Sequence, residues 1–66
     1  MSTNTAIPTM TFLTPEELAS MLQLPQRTLD DWRYRGAGPA WLRLGKHVRY
    51  RLAAVEQWLS SLEQSA

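Results

Sequence analysis

The chain has 66 residues, 44% of them hydrophobic, with seven basic and six acidic side chains, no cysteine and a formal net charge of +1. That length holds one small domain, and the lack of cysteine excludes a disulfide framework or a cysteine-based zinc site and fits a reducing compartment. The apolar fraction excludes disorder, no run reaches the ~18 apolar residues of a membrane span, and MSTNTAIPTM (1–10) lacks the basic and apolar stretches of a secretory signal.

Residues 1–11, small and polar around Pro8, are expected to form a flexible arm. The first helix begins at Thr14 as cap, with Pro15 in the first helical position and Glu17 completing a T-x-x-E capping box. Leu13 and Leu18 flank that start as a hydrophobic staple, and Leu18, Ala19, Met21 and Leu22 continue an apolar stripe that ends near Gln23. Leu24-Pro25 leaves room only for a tight turn. A second helix runs from about Gln26 to Arg35 and stops at Gly36, a residue suited to a left-handed cap. At ~100° per residue Leu29 and Trp32 mark its core side. Arg27, Asp30, Asp31 and Tyr34 lie opposite, with Thr28 and Arg35 on one flank and Arg33 on the other.

After the loop Gly36-Ala37-Gly38-Pro39, the segment AWLRLGKHVRYRL alternates apolar and basic residues as a hairpin does. A two-residue turn at Gly45-Lys46 would set Leu44 against His47 and Leu42 against Arg49. A three-residue loop, Gly45-Lys46-His47, sets Leu44 against Val48 and Leu42 against Tyr50. Since a one-residue slip turns every side chain over, apolar matching favours the three-residue loop. Leu42, Leu44, Val48 and Tyr50 are then expected inside and Arg43, Arg49 and Arg51 outside. Trp41 points away from the apolar face in this register, so it either packs on the second helix or marks a partner surface. The closing helix carries Leu52, Val55, Trp58, Leu59 and Leu62 on one side and Gln57, Ser60, Ser61 and Gln64 on the other. Trp32 and Trp58 fall at core positions by spacing.

The expected fold is mainly α with a small β-hairpin: helix, turn, basic helix, two-stranded wing and closing helix, a winged helix-turn-helix. It occupies residues 12–63, with 1–11 as the arm and 64–66 as a C-terminal tail. Residues 27–51 hold all seven bases and two of the acids, a local charge of +5, while Glu16, Glu17, Glu56 and Glu63 give the flanks −4. Such a partition is either an electrostatic footprint on a specific surface or a chance arginine-rich stretch of a short domain, and six of the seven bases are arginines, whose planar fork suits phosphate and guanine. The candidate DNA-binding residues are Gln26, Arg27, Thr28, Asp31, Tyr34 and Arg35 on the recognition helix and Arg43, Lys46, His47 and Arg49 on the wing.

Blander readings stand beside these. Arg27 with Asp31, and Asp31 with Arg35, could make a plain salt-bridged helix surface. Asp30 and Asp31 repel phosphate, and each either accepts from a cytosine amino group or orients Arg27, while Asp30 also suits the helix's positive end. Tyr34 either stacks or bonds to phosphate, or packs half-buried. His47 at the loop tip is either a solvated residue or a DNA contact. A lone histidine without a carboxylate surround makes no metal site. No nucleophile-base pair or glycine-rich phosphate loop is present, so neither catalytic residue nor cofactor is expected, nor a small-molecule substrate.

LTPEELASML (13–22), RTLDDWRYRG (27–36), GPAWLRLGKHVRYR (38–51) and VEQWL (55–59) together resemble the excisionase-type, MerR-like winged helix-turn-helix family of phages and bacteria. In its turn this chain has Gln23 and Pro25, where the family often has glycine and a serine-like cap. The resemblance implies that the second helix enters the major groove through Arg27, Thr28, Asp31, Tyr34 and Arg35. The wing would touch the neighbouring minor groove or backbone through Lys46 and His47. It implies a cytoplasmic, nucleoid-associated excisionase, or recombination directionality factor, that binds repeated sites in double-stranded DNA, bends them and assists a tyrosine integrase. Acidic residues of the last helix facing a neighbour's basic wing would give head-to-tail self-association on DNA. Some members are instead small transcriptional regulators of prophage genes. Outside that family, the basic face could serve a protein-interaction module that never binds DNA.

Overall fold

The computed structural model describes residues 11–65, and residues 1–10 of the expected arm lie outside them, as does Ala66. The elements are β1 (Phe12–Leu13), α1 (Pro15–Leu22), α2 (Gln26–Arg35), β2 (Leu42–Leu44), β3 (His47–Arg51) and α3 (Leu52–Ser65). The start of α1 forms as its sequence predicts. The Glu17 N–H donates to Thr14 Oγ1 at 3.0 Å, and the Thr14 N–H donates to Glu17 Oε1 at 2.9 Å. Two of the amides that every helix start leaves without a partner are thereby satisfied.

The turn between α1 and α2 closes by backbone bonds alone. Gln23 adopts φ 60°, ψ 43°, its N–H donates to Ser20 O at 3.1 Å, and the Leu24 N–H donates to Ala19 O at 2.9 Å. These are the two bonds of a Schellman motif, built here on a glutamine in the left-handed region that glycine occupies more cheaply. Pro25 then caps α2 without a side-chain hydrogen bond, and the Thr28 N–H donates to its carbonyl at 3.0 Å. At the other end of α2, Gly36 and Ala37 repeat the motif by donating to Arg33 O and Trp32 O.

The sheet has three antiparallel strands in the order β1-β3-β2, so the expected two-stranded wing carries an additional partner on its long strand. Phe12 pairs with Arg51 and Leu13 with Tyr50, while Leu42 pairs with Arg49, Arg43 with Val48 and Leu44 with His47. The hairpin therefore turns on two residues, and the three-residue loop Gly45-Lys46-His47 is not formed. Gly45 has φ +66° and Lys46 has no positive φ, the pattern of a II′ turn, whose twist matches that of the strands it joins. Matching apolar residues across the hairpin misjudged what covers β3. Leu13 of β1 pairs beside Tyr50, and continuing the β2 register by one residue sets Trp41 opposite it. Leu42 and Leu44 consequently share a face with His47 and Arg49, and Leu44 is 49% exposed rather than inside.

Leu18, Ala19, Leu29, Tyr50 and Val55 form the buried core, with Leu13, Leu22, Trp32, Trp41, Val48 and Leu59 packed around it. Trp41 thus belongs to the core margin. The Trp32 and Trp58 rings meet at 5.4 Å and 59°, joining α2 to α3, whereas Leu62 is exposed. β3 runs into α3 without a loop or a polar cap, and the Leu52 N–H donates instead to Thr11 O at 2.9 Å, so the residue ahead of β1 does the capping. Among the described residues no helix is long and apolar enough to cross a membrane.

Two backbone positions predict opposite responses to substitution. A Cβ on Gly38, which has φ +80°, would stand 2.7 Å from Trp32 Cε3. Gly38→Ala should therefore destabilise the fold by about 2–4 kcal/mol, from overpacking and left-handed strain together. Gln23→Gly should stabilise it by about 0.5–1 kcal/mol. Urea unfolding followed by tryptophan fluorescence measures both.

Candidate nucleic-acid interface

The outward face of α2 is built by the burial of the opposite one. Leu29 is buried and Trp32 and Arg33 half-buried, which leaves Gln26, Arg27, Asp30, Asp31, Tyr34 and Arg35 exposed and Thr28 half-buried. Tyr34 is 91% exposed, so it is no packing residue. Arg27, Thr28, Asp31, Trp32 and Arg35 line a shallow concavity along the helix. A ten-residue helix is about 15 Å long, and its side chains can reach base edges when it lies in a major groove.

Of the two ion pairs read from the sequence of this helix, Asp31 with Arg35 forms and Arg27 with Asp31 does not. Arg35 Nε and Nη2 both reach Asp31 Oδ2, at 3.0 and 2.9 Å, and Asp30 Oδ1 pairs with Arg33 Nη2. Among the described residues Arg27 therefore has no carboxylate partner, and it is the one cation of α2 left so.

Arg33 is not an exposed flank residue but the joint between α2 and the sheet. Its side chain is 18% exposed, and its Nη1 donates to the Tyr50 hydroxyl at 2.8 Å. The guanidinium lies 6.0 Å from the centroids of both the Trp41 and the Tyr50 rings, within cation–π range. Burial works against its charge, but hydrogen bonding and Coulomb attraction to Tyr50 and Asp30 outweigh that cost, and its pKa is raised. The sequence held a signal for this residue. An inward-facing tyrosine needs a partner for its hydroxyl, and Arg33 sits only ~100° from Trp32 on the helical wheel.

On the wing, Lys46 is exposed in the turn, and His47 is the first residue of β3 rather than part of the tip loop. Arg43 and Arg49 do not share one outward face. Arg43 lies on the side of Val48, with its guanidinium 5.6 Å from the Trp41 ring, while Arg49 lies with His47 on the other side. Arg49 is half-buried, and its Nη1 donates to Val48 O at 2.7 Å. Arg43, Lys46, Arg49 and Arg51 have no carboxylate partner among the described residues. The structure thus divides the central +5. On α2 two of three arginines are neutralised by aspartates, whereas the four cations of the wing are unopposed.

Residues 12–63 match the model of a family described as a helix-turn-helix domain. Comparison with curated proteins gives no match.

The joint at Arg33 is testable without touching the outward face. Tyr50→Phe keeps the buried ring and removes only the acceptor, and should cost about 1.5–3 kcal/mol of stability, the range for a hydrogen bond to a charged group. In a double-mutant cycle with Arg33→Met, read by urea unfolding, the two losses should add to clearly more than the double mutant loses.

Proposed function

The chain belongs to the helix-turn-helix domain family, and from that membership we propose that it binds DNA sequence-specifically and acts as an excisionase of phage or prophage DNA. The observation that carries the binding reading is the charge arrangement. Four unopposed wing cations stand beside a helix whose free arginine, Arg27, points outward. Phosphate neutralisation supplies affinity and register, and base edges supply sequence information. In this reading Gln26, Arg27, Thr28, Asp31, Tyr34 and Arg35 face the major groove, and Arg43, Lys46, His47 and Arg49 meet the backbone. Because Arg43 and Arg49 project from opposite faces of the hairpin, the wing engages tip-first, with Lys46 leading, rather than lying flat.

The excisionase role is supported by the resemblance of the four stretches in 13–22, 27–36, 38–51 and 55–59 to that family. Such a protein binds repeated sites, bends the DNA between them and assists a tyrosine integrase, with no catalysis of its own. Glu56 and Glu63 are exposed on α3 and have no ion pair among the described residues. They are the carboxylates that a neighbouring copy's wing would meet in head-to-tail assembly on repeated sites.

Contacts to about five phosphates should make log affinity fall against log salt with a slope near −4.5 in a fluorescence-anisotropy series. Arg27→Ala should cost about 1–3 kcal/mol on the cognate site and relax its specificity, while Arg49→Ala should weaken cognate and random duplexes alike. Equal affinity for attachment-region and random DNA at ~150 mM salt would refute specific binding. Deleting the gene should abolish prophage excision. Altered promoter activity with normal excision would mark a transcriptional regulator instead.

A further inference from the structure

Resting on the DNA-binding reading above, we propose that Asp31 selects a cytosine in the target site by accepting a hydrogen bond from its exocyclic amino group. Asp31 lies near the middle of the outward face of α2, one turn after Arg27 and one turn before Arg35, with its side chain 58% exposed. Both bonds from Arg35 converge on Oδ2, and Oδ1 receives none from any described residue. Arg35 therefore engages one carboxylate oxygen and leaves the other, Oδ1, without a partner among the described residues. As an exposed i,i+4 ion pair, the contact adds only a little to the stability of the helix. Asp30 is placed differently. Its partner Arg33 is anchored to Tyr50.

Groove chemistry says what such an acceptor selects. The major-groove edges of guanine and thymine present acceptors that repel a carboxylate, and only cytosine and adenine present an amino donor. Adenine's amino group stands beside the N7 lone pair, whereas cytosine's stands beside a C–H. A lone carboxylate oxygen therefore favours cytosine. Asp31 also repels phosphate, so it weakens binding to wrong sequences while its one good contact is made only at the right base. Arg27, with its donors free, provides the complementary contact to guanine about 6 Å earlier along the helix.

The test is selection from randomised duplexes followed by binding titrations, with the full chain as wild type, Asp31→Ala, Asp31→Asn and Arg35→Ala, each checked for an unchanged melting temperature. The wild type should prefer cytosine about tenfold at one position. Asp31→Ala should level that position to within about twofold while binding random duplex roughly threefold tighter, because a charge facing phosphate is gone. Asp31→Asn, which adds a donor, should move the preference to adenine. Arg35→Ala should keep the cytosine preference. The inference is overturned if Asp31→Ala tightens binding with the sequence profile unchanged, which would leave only repulsion. It is overturned equally if Asp31→Ala and Arg35→Ala level the same position, which would make Asp31 a support for Arg35. A wild type that enriches no sequence overturns the DNA-binding reading itself, an outcome distinct from both.

Discussion

The hydrogen bond from Arg33 to the Tyr50 hydroxyl joins the two parts of the molecule that the proposed function needs held together. Tyr50 is buried to the hydroxyl, and a buried hydroxyl without a partner is costly. The guanidinium that answers it comes from α2, the element that carries the candidate base-reading face. It stacks near Trp41 and Tyr50 and holds Asp30 at its outer end. One cation thus ties the recognition helix to the sheet that bears the wing. The relation between helix and wing is set by side-chain chemistry rather than by a continuous backbone element. With Asp30 engaged by Arg33 and Asp31 by Arg35, Arg27 has no carboxylate partner among the described residues.

Tyr50 can play this part because β3 is the centre of the sheet. With β1 on one side and β2 on the other, the strand is hydrogen-bonded along both edges and delivers Tyr50 inward next to Leu18, Leu29 and Val55. It then passes directly into α3, whose first amide is met by Thr11. Two residues of β1 and one carbonyl before it therefore do two jobs, pairing the strand and capping the helix. Gly38 has a comparable economy. Its bare Cα lets the loop lie on the Trp32 ring, which closes the α2 end of the core.

The outward surface follows from the hairpin register. A two-residue turn places Arg43 on the Trp41 side and Arg49 on the Leu42 and Leu44 side. The positive charge of the wing is consequently wrapped around a thin ribbon rather than spread over one face. A charged edge also discourages pairing with a second chain along the exposed strand. The helix beside it is close to neutral, so in the proposed function phosphate affinity is assigned to the wing and sequence discrimination to the helix.

The helices and the tight turn between α1 and α2 are legible in the local pattern of residues. The Thr14–Glu17 capping box, Pro15 at the first position, Gly36 at the end of α2 and the spacing of Leu29 and Trp32 all act within a few residues of chain, and α2 begins and ends where they place it. The outward positions of Arg27, Asp31, Tyr34 and Arg35 follow from the same periodicity. The third strand, the hairpin register, the place of Trp41 and the role of Arg33 come instead from long-range packing. A two-residue strand is too short to show a period, and the apolar match that argued for a three-residue loop omitted Leu13 and Trp41, the residues that flank Tyr50. The partner of Arg33 lies 17 residues along the chain, and which distant groups meet is settled by how the core closes.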